Sequence, residues 1–270
     1  MSAFAATTFR GRVTQVRVAR SEWTKLWSLR STRWSLLAAV LAMAAPGIVI
    51  AAVQMNRWAT ISAEERAHFD AIDTGVGGYH LAMLAIGVLG VLVISGEYST
   101  GMIRSSMMAV PRRLPVLIAK LSIFAAVTFV LMLAATFVSF FVVQAIVAGH
   151  HLDRTLGDPH ALRAVVGTAL FLTVLGALGM GLGALTRNTA GGIGAFVALL
   201  FVLPGVTALL PSTTSDAINP YLPLNAAMAV ATSTFEDSHH LSPWAGFAVF
   251  CGYTAVVVGA AAVLLVRRDA

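Results

Sequence analysis

Side chains that could carry chemistry are few in this chain, and their spacing excludes more than it offers. There are two lysines, Lys25 and Lys120, preceded by Thr24 and Ala119. A phosphate-binding loop needs a Gly-Lys-Ser/Thr ending, so that backbone amides and the lysine hold the phosphates together. Neither lysine has that setting, so ATP is not expected to bind here. The seven histidines, His68, His80, His150, His151, His160, His239 and His240, include two adjacent pairs. Adjacent histidines are more often loop residues than ligands, and no cysteine or spaced carboxylate set supports them, so no metal or haem is expected. The one cysteine, Cys251, lies in an apolar run and can form no intrachain disulfide. Ser95 and Ser139 have no histidine or aspartate at matching depth, which leaves no catalytic residue and no enzyme activity to expect.

The elements that must position these residues follow from composition. Of 270 residues 58% are hydrophobic and 11% charged, with a mean hydropathy of +0.83. A soluble domain carries charge on about a quarter of its residues. The chain belongs in a bilayer, where a spanning helix needs about 20 mostly apolar residues. Six runs qualify: Trp34–Val53, Tyr79–Ser95, Leu121–Val147, Ala161–Leu185, Gly191–Leu210 and Pro243–Val266. The fifth opens on Gly191, Gly192 and Gly194 and is interrupted by Pro204. The runs hold no ionisable residue at mid-depth; Arg163, His80 and Gln144 lie near their outer ends. Proton and sodium relays need such residues inside the membrane, so an ion-coupled carrier is disfavoured.

With the N-terminus inside, the inner segments hold 14 of the 18 basic residues and three acids, Glu22, Glu97 and Asp269. The outer segments then keep four basic and nine acidic residues. Lysine and arginine near span ends set orientation, and the asymmetry places both termini in the cytoplasm. It also accounts for the basic pI without nucleic acid as a partner. The first residues lack the short apolar core of a cleavable signal, so the expected location is an inner or plasma membrane, multi-pass. The expectation is an all-α integral membrane protein of six transmembrane helices. Residues 1–33 form an interfacial N-terminal segment, 34–266 the transmembrane domain and 267–270 a cytoplasmic tail.

Residues 12–29 read as an amphipathic helix. Val13, Val16, Ala19, Trp23, Leu26 and Trp27 share one arc, with Arg17, Ser21, Thr24, Lys25 and Ser28 opposite. Trp23 and Trp27 on one face and Lys25 on the other describe a helix lying among lipid headgroups. The inner loop after the second run spells Gly96-Glu97-Tyr98-Ser99-Thr100-Gly101-Met102-Ile103-Arg104, and residues 99–110 can form a short amphipathic helix ended by Pro111. Glu97 could cap the start of that helix, where a carboxylate meets the positive dipole end. The outer loop at 64–73, with Glu64, Glu65, Asp70 and Asp73, reads as solvated. The Ala/Met/Val run after Tyr221-Leu222-Pro223-Leu224-Asn225 is too short to span. Gly87, Gly90, Gly179, Gly181 and Gly183 mark close helix packing, preferentially within the subunit.

The Ser21-Glu22-Trp23-x-Lys25-Leu26 start, the Gly96-Glu97-Tyr98-x-x-Gly101-x-Ile103-Arg104 loop, six spans and an Arg267-Arg268-Asp269 tail resemble ATP-binding-cassette permeases of the type-2 export class. The resemblance covers essentially the whole chain. It implies a coupling helix between spans two and three that docks on a separate cytoplasmic ATPase subunit, through Glu97, Tyr98, Gly101, Ile103 and Arg104. It implies also that ATP and Mg are bound by that subunit and that two permeases, a homodimer by preference, enclose the path. The cargo expected is apolar or amphipathic: a drug, lipid or peptide antibiotic. Phe196, Leu200 and Phe201 are candidates to touch it, though packing is the commoner role for such residues. The alternatives are a membrane scaffold or immunity factor without transport, and an ion-coupled carrier.

Overall fold

The computed structural model describes residues 14–102, 113–233 and 241–267. Among these, the regular structure is helical. An N-terminal helix α1 (Gln15–Ser28) leads into α2 (Arg30–Asn56), two short helices α3 (Ala63–Ala67) and α4 (Ala71–Val76), and α5 (Tyr79–Ser99). Then come α6 (Arg113–Val147), α7 (Ala161–Thr186) and α8 (Thr189–Val197), which runs through a π turn at Ala198–Val202 into α9 (Leu203–Thr207). Two short helices, α10 (Ser212–Ile218) and α11 (Pro223–Met228), precede the last, α12 (Pro243–Arg267). Among the described residues, six stretches are long and apolar enough to cross a membrane: Arg30–Asn56, Ala71–Ser99, Leu114–His150, Ala161–Thr186, Thr189–Thr207 and Pro243–Arg267.

All six expected spans are present, and the first three run beyond their apolar cores. The second continues through Glu97 to Ser99, and the third starts ahead of Lys120. Hydropathy stops at a charge, whereas a helix continues through one that has found a partner. The fifth span is broken where Pro204 predicts. Proline has no N–H to give the carbonyl four residues back, and the helix absorbs the missing bond in a π turn just before it.

α7 is the centre of the bundle, buried along most of its length. Its contact with α5 is made by backbone. A β-carbon on Gly90 would strike the carbonyl of Gly176, and one on Gly179 the carbonyl of Gly87. Hydrophobic attraction is weak between helices in lipid, so close van der Waals approach through small residues provides much of the association. The ring of Phe196 fills the remaining space over Gly87, and Phe196 and Leu200 are fully buried. Both belong to the core, and Phe201 is half-buried against it. Gly194, Gly252 and Gly259, by contrast, face open space.

One end of the bundle, next to α1, is closed by Leu26, Leu36, Leu89, Leu117, Phe124 and Leu265; it is called proximal below. At the distal end the outer acidic loop departs from its solvated reading. Glu64 and Glu65 are exposed, and Glu65 forms a capping box with Ser62. Asp70, however, caps α4 by accepting from the N–H groups of Ile72 and Asp73 at 2.7 and 2.8 Å. Asp73 accepts the backbone N–H of Ser233 at 2.7 Å, while Arg163 donates to the carbonyls of Ala229 and Ser233. These bonds hold α11 and the segment after it, whose Ala226, Ala227, Val230 and Ala231 are buried, against α7 and α12.

Candidate functional site

Glu22 and Lys25 lie one turn apart in α1, on the side that also buries Val18 and Leu26. Val18 packs on Val116 and Ala119 of α6, which sets α1 against the start of that helix. Glu97 lies in the last turn of α5, and Lys120 lies near the start of α6. The three helices therefore bring four charges together. Lys120 Nζ is 2.5 Å from Glu22 Oε2 and 2.8 Å from Glu97 Oε1. Lys25 Nζ is 2.7 Å from Glu22 Oε1 and 3.2 Å from Glu97 Oε1. The side chains of Glu22, Lys120 and Glu97 are only 4%, 6% and 8% exposed, and that of Lys25 24%.

Two expectations change here. Glu97 does not cap the start of a loop helix, because α5 continues through it to Ser99. It sits in the last turn of α5, where the helix dipole disfavours a carboxylate, and two lysines neutralise it. Lys25 does not lie on a free basic face; it turns inward to Glu22 and Glu97. Burial pulls the Lys25 ammonium toward neutrality, but the hydrogen bond to Glu22 and the charges of Glu97 and Glu22 outweigh it and hold its pKa above the ordinary lysine value. Trp23 and Trp27 do share the outer face of α1, exposed, with ring centroids 5.8 Å apart.

The other loop residues take separate positions. Tyr98 lies under the guanidinium of Arg187, 5.4 Å from its ring centroid, and Arg187 Nη2 donates to the Leu264 carbonyl at 3.4 Å. That chain of contacts joins the end of α5 to the turn after α7 and to the end of α12. Gly101 ends α5 with φ of 71°, a left-handed conformation that glycine adopts without strain. Ile103 and Arg104, and the remainder of the expected 99–110 helix beyond Met102, lie outside the described residues. So do Val13, Pro111, His239, His240, Arg268 and Asp269.

Charge pattern could have revealed the cluster. The chain has two lysines, and both are in it; of three acids on the basic side, two are in it. Lys120 was legible only as one more inner cation, because its partners are 98 and 23 residues away. Among the described residues, no three His, Cys, Asp or Glu side chains converge as a metal site would require. Ser95 is buried and shares a hydrogen bond of 2.8 Å with Thr189 Oγ1, tying α5 to the start of α8.

Six apolar helices with a charged knot at one end define a multi-pass membrane protein. The chain belongs to the ABC-2 transporter family: the family model described as "ABC-2 family transporter protein" matches residues 36–270. Membership makes it a permease of an ABC transport system. The match begins inside α2, so Glu22 and Lys25 precede it. No curated protein matches the sequence.

Proposed function

We propose that this permease is the membrane subunit of an ATP-driven exporter in the inner or plasma membrane, worked by a separate cytoplasmic ATPase that docks on the proximal end. The observation that carries the reading is the cluster of Glu22, Lys25, Glu97 and Lys120. It ties the interfacial helix to the ends of α5 and α6, the two helices that flank residues 100–112. A push delivered between those two helices is thereby shared by three helices at once. In this reading ATP and Mg bind the partner, this chain performs no catalysis, and two copies enclose the path. The cargo is apolar or amphipathic, such as a drug, a lipid or a peptide antibiotic. Both termini are cytoplasmic.

Mild-detergent purification from the native host, with mass spectrometry of what copurifies, tests the engine. A stoichiometric Walker-type ATPase is the expected result, and none, beside a control assembly that stays intact, overturns it. Transport in reconstituted vesicles then tests the coupling. Glu97→Gln should leave ATP hydrolysis running while cargo movement falls, and unchanged transport would remove the cluster from the mechanism. Because Glu97 and Lys120 lie within spanning helices, an ion-coupled carrier makes the opposite forecast: transport collapses with the proton gradient while ATP persists.

A further inference from the structure

Between α1, the start of α2 and the last turns of α5 lies a cavity of about 350 Å³, within the roughly 300–1,000 Å³ range of small-molecule sites. Its lining mixes apolar side chains, among them Leu29, Leu92 and Val93, with Ser28, Thr100 and Glu97. Beside the ammonium groups of Lys25 and Lys120 and the hydroxyls of Ser31, Thr32 and Ser35, the polar lining holds three hydroxyls that can only accept. Ser28 Oγ already donates to the carbonyl of Lys25 at 3.0 Å, and Thr100 Oγ1 to that of Gly96 at 2.8 Å. Ser99 Oγ, also at the cavity, donates to the Gly96 carbonyl too. A hydroxyl that has given its proton offers only lone pairs.

Glu97 presents the strongest unmet demand. Its Oε1 takes both lysines, while its Oε2 is buried with no hydrogen-bond partner among the described residues. A buried carboxylate oxygen left unpaired is costly, and a donor entering from the cavity would satisfy it. The donor's charge is also constrained. Lys25 and Lys120 already balance Glu22 and Glu97, so a full charge brought into the cavity would be desolvated without a counter-ion.

We propose that this cavity binds the head of a neutral polyhydroxy amphiphile, a sugar- or glycerol-headed lipid of the leaflet in which α1 lies. One hydroxyl donates to Glu97 Oε2, others donate to Ser28 and Thr100, and the acyl tail leaves past Leu92, which is 39% exposed. The inference rests on the interfacial placement of α1, whose outer face carries Trp23 and Trp27. It needs no ATPase and no transport, so it stands or falls apart from the exporter reading.

The test uses the full chain in phosphatidylcholine nanodiscs with an alkyl glucoside that carries a diazirine in its tail, the labelled peptides being mapped by mass spectrometry. Labelling should concentrate on the segments holding Leu29 and Leu92–Val93 and should be displaced by unlabelled octyl glucoside. Dodecyltrimethylammonium, which has no hydrogen-bond donor, should not displace it. Ser28→Ala with Thr100→Val should weaken the site about tenfold, and Leu92→Trp should block it in protein that remains monodisperse. Labelling spread over all lipid-facing helices would overturn the proposal. So would displacement by the trimethylammonium as readily as by the glucoside, or stronger displacement by a primary alkylamine, which would make it a site for cations.

Discussion

Glu22 and Lys120 stand 98 residues apart in the chain and 2.5 Å apart in space. The pair joins a helix outside the spans to one inside them, and both side chains are more than nine-tenths buried. Removing one member of such a pair leaves the other charge buried and uncompensated, a loss of about 3–5 kcal/mol. Replacing all the members by apolar or neutral groups of similar volume is often close to neutral. Lys120→Met should therefore lower Tm markedly in thermal unfolding of the purified protein. The quadruple variant Glu22→Gln, Lys25→Met, Glu97→Gln, Lys120→Met should regain most of the loss. Equal Tm for Lys120→Met and wild type would mean that the pair carries no energy.

Lys25 sets the pH range over which the cluster holds. Its folded pKa lies above the ordinary lysine value of 10.5, so its contribution is fully present below that value and is lost as pH rises through the higher folded one. The Tm difference between wild type and Lys25→Gln should stay constant from about pH 7 to pH 9.5. A difference that shrinks within that interval would mean that Lys25 is not held charged by Glu22 and Glu97.

The contact between α5 and α7 can be tested by bulk. Gly90→Val drives a side chain into the Gly176 carbonyl, whereas Gly194 has nothing near it. Overpacking costs typically 1–3 kcal/mol, and more (~3 kcal/mol or above) where backbone must yield. Gly90→Val should abolish or sharply reduce folded protein in the membrane fraction, while Gly194→Val should leave its yield near wild type. Equal yields would show that the two helices can separate at low cost.

At the distal end, Asp73→Ala removes the acceptor for the Ser233 N–H. Hydrogen bonds to charged groups are worth about 1.5–3 kcal/mol. Amide exchange at 229–233 should accelerate at least tenfold in Asp73→Ala and much less in Asp73→Asn, which keeps an acceptor oxygen. Unchanged exchange in both would locate the restraint in Arg163 alone.

Much of the fold was legible in the sequence because lipid forces each span to satisfy its own backbone, leaving hydropathy as a sufficient guide to where helices lie. Pro204 marked the break in the fifth span for an equally local reason. Long-range pairing was illegible. Glu97 looked like a cap, Lys25 like a solvated cation and Asp73 like a loop acid, because both partners of Glu97 and one of the two of Lys25 lie on other helices, and that of Asp73 lies 160 residues further on. Tyr98 and Gly101 were singled out through the family loop, but nothing local pointed to Arg187 as the partner of Tyr98. The same unseen partners explain the early ends given to spans two and three, since pairing, rather than hydropathy, carries those helices past their charges.

α5 and α7 meet carbonyl to glycine at two levels, Gly90 with Gly176 and Gly87 with Gly179. Surfaces so close have no side chains to rearrange, so sliding or rolling one helix against the other would require backbone to pass through backbone. The pair can move only as a single stiff lever, about 30 Å long for the 21 residues of α5. Glu97 loads one end, and α4, continuous with the other, carries Asp73 and the Ser233 segment. The Ser233 segment also rests on α7 through Arg163 and Gly167, so a tilt of roughly 5° about the proximal end, about 3 Å at the distal end of a helix of that length, would carry Asp73 and Ser233 together against α12. Displacement at one membrane face can thus reach the contact with Gly246 of α12 at the opposite face without any change of shape in between.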